Sequence, residues 1–136
     1  MKSRVIVSAV IEKGNLLLFG KKPEGIGPYP NTLHLIGGGV NLDDESLTDA
    51  IQREIQEEAG IKVQLLEPLS FDEDYAPDKR GEMTHYIFLV YRAKYISGSA
   101  QASDDLEKLV WVEKDKLSEV QLNKPSKKLF KKINYL

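Results

Sequence analysis

The sequence lacks cysteine and has no long apolar run. The absence of cysteine excludes disulfide bonds, thiol catalysis and zinc–thiolate sites. The apolar stretch within the opening MKSRVIVSAVIEKG is too short and too interrupted for a signal peptide or a membrane span. We therefore expect a cytoplasmic protein without a membrane partner.

A strong net charge is also missing. The 19 basic and 21 acidic residues leave a formal charge of −2, which argues against long nucleic acid as a partner. Small nucleotides stay compatible with this charge, because a bound metal ion reverses the local field. With 136 residues, 41% of them hydrophobic and 29% charged, the composition predicts one soluble globular domain spanning 1–136. Both a monomer and a homodimer fit this composition.

Along the chain, segments with the pattern of strands occur together with segments that have the pattern of helices. Alternating β-branched residues indicate strands, and apolar residues three and four positions apart indicate helices. The predicted helical segments are 46–59, 115–120 and 125–136. The predicted strands are 4–11, 16–19, 33–36, 61–66, 83–95 and 109–112.

Turn-forming and capping residues mark several boundaries of these elements. The helix over 46–59 begins at Ser46, a favoured capping residue, and ends before Gly60, which suits the left-handed position after a helix. Segments 23–32 and 70–81 are rich in turn-forming or acidic residues. We expect both to be loops at a binding site, since long loops in compact domains often bind ligands.

The helix over 46–59 is predicted to carry acidic residues on its apolar side. On a helical wheel of about 100° per residue, Glu54 and Glu58 fall within or beside the arc that should meet the core, and Glu57 lies at its border. The outer face is occupied by residues such as Gln52 instead. The apolar arc consists of Leu47, Ala50, Ile51 and Ile55.

This arrangement is unfavourable unless something compensates the charges. Glu54 and Glu58 are four residues apart on the helix, and such a like-charge pair costs about 0.2–0.5 kcal/mol. A carboxylate on an inward face also loses its hydration. A divalent cation, Mg²⁺ or Mn²⁺, compensates both effects because it prefers hard carboxylate oxygens. The alternative is a solvated acidic stripe that forms surface ion pairs.

The triplet Gly37-Gly38-Gly39 precedes this helix. Glycines let the backbone approach a ligand closely. Their amides can meet phosphate oxygens, and a carbonyl can join a metal shell. By itself the triplet indicates only a tight loop. Together with the carboxylate helix it predicts a combined phosphate and metal site.

The segment 39–61 matches a known motif at every defined position. Its spacing is Gly39-x5-Glu45-x7-Arg53-Glu54-Ile55-x-Glu57-Glu58-x-Gly60-Ile61. This resembles the Nudix box, Gx5Ex7REUxEExGU with U aliphatic. The resemblance implies an α+β fold, an α/β/α sandwich around a mixed β-sheet. It also implies Mg²⁺-dependent or Mn²⁺-dependent hydrolysis of a phosphoanhydride bond in a small nucleotide.

The resemblance also implies roles for the motif residues. Glu54, Glu57 and Glu58 correspond to metal-binding carboxylates, and the carbonyl of Gly38 to a further metal ligand. Either Glu54 or Glu57 corresponds to the general base. For Arg53, a catalytic contact and an ion pair that orients the glutamates are both expected alternatives. Glu45 is expected to anchor the loop of the box.

Further candidates lie outside the helix. His34 is a candidate substrate contact beside Gly37, Gly38 and Gly39, although a histidine in a strand also packs or hydrogen-bonds without a ligand. Asp105 is a candidate extra acid. Others are Glu107, the acids of 72–74, and the stacking candidates Tyr29, Tyr75 and Tyr86.

The substrate is less narrowly implied than the reaction. Ile36 to Val40 departs from the Trp and Pro that many Nudix proteins carry before the box, and instead resembles a triple-glycine branch, the NudI-type nucleoside triphosphatases that prefer pyrimidine deoxynucleotides. This implies a nucleoside triphosphate that yields the monophosphate and pyrophosphate. The alternatives are an oxidised-purine triphosphate sanitiser, an ADP-ribose or nucleotide-sugar pyrophosphatase, and a non-catalytic nucleotide-binding module.

Overall fold

A six-stranded sheet organises the chain. The computed structural model describes residues 1–25, 29–103 and 106–136. Its strands are β1 (Lys2–Lys13), β2 (Leu16–Lys21), β3 (Leu33–Gly39), β4 (Lys62–Pro77), β5 (Met83–Ser97) and β6 (Lys108–Glu113). Its helices are α1 (Leu47–Ala59), a 3₁₀ helix (Lys114–Glu119) and α2 (Lys124–Lys132).

The sheet is mixed, as expected from the sequence. Its strand order is β4-β5-β1-β3-β2-β6, with β1 and β2 also paired at their hairpin. β1 and β5 run parallel, and every other pair is antiparallel. β1 therefore lies inside the sheet, which explains its continuous buried run from Val7 to Ile11.

Helices cover both faces of the sheet, which confirms the expected sandwich. Side chains of β1 alternate between the faces, so Val7 packs in the core beneath α1 and Val10 packs in the core beneath α2. Ile51 and Ile55 fill the first core from α1. Phe130 fills the second core from α2. Among the described helices, none is long and apolar enough to cross a membrane.

The loop predicted over 70–81 is wrong for most of its length, because β4 continues to Pro77. Side chains of this stretch alternate across the sheet edge. Those of Ser70, Asp72 and Asp74 accept hydrogen bonds from three lysines of α2. The acidic composition therefore resembles that of a loop, although this stretch is an edge strand whose lysine partners lie 50 or more residues away in sequence. Only a short turn remains, in which Asp78 accepts the backbone N–H of Glu82 at 2.9 Å.

The C-terminal helix is shorter than the predicted segment 125–136. Asn123 caps its start by accepting the backbone N–H of Ser126 at 2.9 Å. The helix ends at Lys132, and Asn134 has a left-handed backbone with φ of 64°. Among the described non-glycine residues, only Asn31, with φ of 61°, also has a positive φ. The left-handed turn explains why the last residues leave the helical path.

Candidate active site

Helix α1 places two carboxylates in the protein interior. Its start is capped by the side chain of Ser46, which accepts the N–H of Asp49 at 3.1 Å, and Gly60 ends it with φ of 65°. Glu54 and Glu58 are only 9% and 3% exposed. The wheel prediction for these two residues is therefore confirmed, and the solvated acidic stripe is wrong for them.

The glycine triplet contacts these carboxylates directly. Gly37 pairs with Ser8 of β1 in the sheet, and its N–H donates to Glu58 Oε1 at 3.0 Å. A Cβ at Gly38 would lie 2.5 Å from the Glu54 carboxylate. The triplet is therefore the end of β3 and not a tight loop, and its lack of side chains lets α1 carboxylates reach the sheet backbone.

Arg53 connects the motif residues. Its Nη2 and Nε donate to the two oxygens of Glu45 at 2.7 and 3.0 Å. Its Nη1 donates to Glu54 at 3.0 Å and to Glu57 at 3.1 Å. A further bond of 3.2 Å runs from Nη2 to the carbonyl of Gly39. One guanidinium thus fixes the box loop, the strand end and two glutamates by charge-assisted hydrogen bonds.

The same bonds shift the acidity of their partners. The guanidinium of Arg53, and next the backbone N–H of Asn41, lower the pKa of Glu45 from 4.5 to about 2. Glu45 in turn raises the pKa of Arg53 above its ordinary value. Glu45 is therefore ionised throughout the neutral range, which suits its predicted role as the anchor of the box loop.

The donor set suits a hard divalent cation, although the carboxylates are engaged with other partners. Glu54 and Glu58 are buried carboxylates that lie against the glycine strand, and carboxylate oxygens are ligands that Mg²⁺ takes. Glu57 is 45% exposed and turned toward Arg53. Within 1–25, 29–103 and 106–136, no three acidic or histidine residues form a preassembled metal cluster. To join Glu54 and Glu58 as a third carboxylate ligand, Glu57 would have to leave its ion pair with Arg53.

A cavity adjoins the carboxylates on the α2 face of the sheet. Its volume is about 330 Å³. Gly37, Gly38 and Gly39 lie on its wall together with Glu54 and Glu58. Aromatic side chains of β5 line another part, with the rings of Tyr86 and Phe88 stacked at 6.0 Å. The cavity thus joins a carboxylate end to an aromatic compartment.

Some of the other residues singled out from the sequence line this cavity, and others do not. His34 lines it, and its Nδ1 lies 2.8 Å from the carbonyl oxygen of Leu35, so Nδ1 carries the proton. Tyr29 and Asp72 also line it. Tyr75 instead stacks on His85 with ring centroids 4.5 Å apart, and Glu107 is exposed. The candidate extra acid Asp105 lies outside the described residues.

Several lining residues were not singled out from the sequence. Arg4, Lys22 and Lys79 bring cationic side chains to the cavity wall. Asn123, which caps α2, and Ser126 within α2 are buried polar residues that also line it. Strand alternation was the available signal for Arg4, because β1 places it on the same face as Ser8. That signal does not reveal which face meets the cavity.

Comparison with known proteins agrees with this geometry. The NUDIX domain family matches residues 2–133. The chain is 30% identical over 135 residues to the nucleoside triphosphatase NudI of Escherichia coli O139:H28 (strain E24377A / ETEC), with 94% of each chain covered. It is 26% identical over 137 residues to the nucleoside triphosphatase NudI of Enterobacter sp. (strain 638), with 96% of each chain covered.

A solved structure supports the same assignment. The MutT NUDIX hydrolase from Burkholderia pseudomallei superposes with a TM-score of 0.82 at 26% identity. The match covers 98% of this chain and 99% of that one. The expected mixed sheet between helices, with the motif running from the end of β3 through α1, is therefore confirmed. The chain belongs to the Nudix family and is a Nudix hydrolase.

Proposed function

We propose that the chain hydrolyses a nucleoside triphosphate to the monophosphate and pyrophosphate, with Mg²⁺ or Mn²⁺ as cofactor. The observation that carries this proposal is the junction of buried Glu54 and Glu58 with the glycine strand at one end of a cavity. We place the nucleoside in the aromatic compartment, from which its phosphates would extend toward the carboxylates. The names of the NudI relatives support a triphosphate substrate.

The chemistry is attack of water on a bridging-anhydride phosphorus. A new P–O bond forms, the anhydride P–O bond breaks, and pyrophosphate leaves with the electron pair. A bound divalent cation supplies charge neutralisation of the phosphate oxygens. Glu54, Glu57 and Glu58, with the Gly38 carbonyl, are the residues proposed to hold it.

A glutamate takes the proton of the attacking water, and Glu54 and Glu57 are the two candidates. Glu54 is buried against Gly38, so it is held at the cavity wall. Glu57 is more exposed and can turn toward solvent water. Arg53 positions both through bonds of 3.0 and 3.1 Å, a role that needs no contact with substrate.

The cavity offers recognition groups for the base and phosphates. Tyr86 and Phe88 provide aromatic surface for stacking. His34 and the triplet Gly37, Gly38 and Gly39 are the proposed contacts for the polar part of the substrate. A preference for pyrimidine deoxynucleotides rests on the NudI resemblance, with oxidised purine triphosphates, ADP-ribose and nucleotide sugars as the competing substrates.

A panel of these nucleotides, assayed for product release with and without Mg²⁺, tests the proposal. We expect a nucleoside triphosphate to be the best substrate and chelation to abolish turnover. Glu57→Gln and Glu58→Gln should each lower kcat about 10²- to 10⁴-fold, because each removes a metal ligand or base. Glu119→Gln, at an exposed acid of the 3₁₀ helix, is the matched control. Near-full activity in both folded variants would refute catalysis by this site.

A further inference from the structure

Arg4 has a position that the motif does not explain, and we propose that it binds the phosphate chain of the substrate. This inference rests on the proposed function, because it assigns a contact within the same cavity. Arg4 belongs to β1, three residues before the fully buried part of the strand. It lines the cavity that also contains Gly39 and Glu54.

The side chain of Arg4 lies directly over Gly39. A Cβ at Gly39 would overlap Nη2 of Arg4 and would lie 3.0 Å from its Cζ. The glycine that begins the box therefore makes room for a guanidinium. Arg53 binds the carbonyl oxygen of the same glycine at 3.2 Å but does not line the cavity. Two guanidinium groups thus contact Gly39, and only that of Arg4 faces the cavity.

The bonding of these two groups differs. Arg53 donates to Glu45, Glu54 and Glu57, so its donors are already engaged. Arg4 forms no hydrogen bond or ion pair with another residue in the described part of the chain. Its planar donor fork therefore remains available to a ligand.

A phosphate chain has the chemistry that this position requires. Each phosphate brings negative charge to a site that already holds Glu54 and Glu58, so a nearby cation offsets the added repulsion. A guanidinium binds phosphate through two parallel hydrogen bonds, which a lysine ammonium does not reproduce. Arg4 lies beside the carboxylates and also on the cavity wall, where the phosphates of a bound nucleotide would pass.

Steady-state kinetics with the best triphosphate substrate and Mg²⁺ test this role. Arg4→Gln should raise KM about 10- to 100-fold, the effect of losing a hydrogen bond to a charged group, with a much smaller change in kcat. Arg4→Lys should recover only part of the loss. Arg92→Gln is the matched control, because it removes the same charge from an arginine that is paired with Glu67 outside the cavity. A KM for Arg4→Gln equal to that of Arg92→Gln would overturn the proposal.

A second variant probes the same contact through Gly39. Gly39→Ala places a methyl group where Nη2 of Arg4 lies, so Arg4 must shift. We expect Gly39→Ala to raise KM in the wild-type background and to add little in the Arg4→Gln background, as residues acting through one contact do. Additive effects of the two substitutions would contradict the proposal.

Calorimetric titration with inorganic triphosphate and Mg²⁺ separates this inference from the proposed function. The wild type and Arg92→Gln should bind the probe, and Arg4→Gln should bind it at least about tenfold more weakly. If nucleoside triphosphates are not hydrolysed but this difference is observed, the proposed substrate is wrong and the phosphate contact of Arg4 stands. Equal binding by Arg4→Gln and the control would refute the contact.

Discussion

The carboxylate of Glu58 accepts the backbone N–H of Gly37 at 3.0 Å, which joins α1 to β3 across 21 residues of sequence. Glu58 is 3% exposed, so this bond partly replaces the water that its carboxylate loses. The end of β3 and helix α1 are therefore joined in one unit, and a substitution in either should affect the position of the other.

Alanine substitutions at neighbouring glycines should separate folding from catalysis. Gly37→Ala would place a methyl carbon 2.0 Å from the backbone carbonyl oxygen of Val7. The strand of Val7 is paired with both β3 and β5, so it cannot shift without disturbing the sheet. We expect this substitution to lower the free energy of unfolding by at least about 1–3 kcal/mol. The three atoms nearest to a Cβ at Gly38 all belong to the carboxylate of Glu54, a side-chain group that shifts at lower cost than backbone. Gly38→Ala should therefore be less destabilising than Gly37→Ala but should lose turnover, because it displaces Glu54. Urea unfolding and initial rates measure the contrast, and equal destabilisation by both would contradict it.

The two ends of α1 should contribute comparable stability. Ser46→Ala removes the acceptor for the N–H of Asp49 and should cost about 0.5–2 kcal/mol. Gly60→Ala should cost about 1–2 kcal/mol, because an L-residue must adopt φ of 65° although no atom obstructs a Cβ there. Gly60→Asn is the control, since asparagine tolerates this backbone better. Thermal unfolding is the measurement, and a larger loss for asparagine than for alanine would argue against a conformational cause.

Acid should weaken the bond between Glu45 and Arg53 over a defined range. The pKa of Glu45 is about 2 in the folded protein and near 4.5 when unfolded, because Arg53 stabilises the charged form. Its stabilising contribution is therefore complete above pH 4.5 and disappears as the pH falls toward 2. Glu45→Gln should be less stable than the wild type near pH 6, and the difference should shrink across this range.

Urea unfolding at a series of pH values measures this difference. Asp115→Asn, at an exposed acid of the 3₁₀ helix, is the control and should show no such convergence with the wild type. A gap between Glu45→Gln and wild type that stays constant from pH 6 to pH 2 would exclude the ion pair as its cause.

The lysines that join α2 to β4 should give a salt-sensitive contribution. Lys124 binds Asp74 at 2.9 Å, and Lys128 binds Asp72 at 3.0 Å. Because these lysines are largely exposed, the double variant Lys124→Gln/Lys128→Gln should lose only about 0.5–2 kcal/mol, and less at high salt. The double variant Lys127→Gln/Lys131→Gln removes equal charge from the same helix without these bonds. Equal losses in both double variants, measured by urea unfolding, would argue against the specific pairs.

Local patterns predicted the elements whose partners are near in sequence or whose periodicity is strong. The cap at Ser46, the end at Gly60 and the inward position of Glu54 and Glu58 all follow from the helical repeat. The extended β4 did not follow, because Asp72 and Asp74 have the composition of a loop and are paired with lysines brought close only by the fold.

The cavity was the part least accessible from sequence. Its wall combines strands, the turn after β4 and helix α2, so no single motif describes it. Arg4 illustrates the reason: alternation assigns it to one face of β1, but only the packing of α2 shows that this face encloses a cavity. The Nudix box predicted the carboxylate end because its residues are close in sequence.

The parallel pairing of β1 with β5 has a consequence for how the protein forms. The register runs from Lys2 opposite Thr84 to Glu12 opposite Lys94, so each pair joins residues about 80 positions apart. Pairing of such distant residues requires a large loss of loop-closure entropy before any contact forms. During synthesis, the edge of β1 that β5 later covers stays without its partner until most of the chain has emerged from the ribosome. That interval is when the nascent protein is most exposed to aggregation through β1.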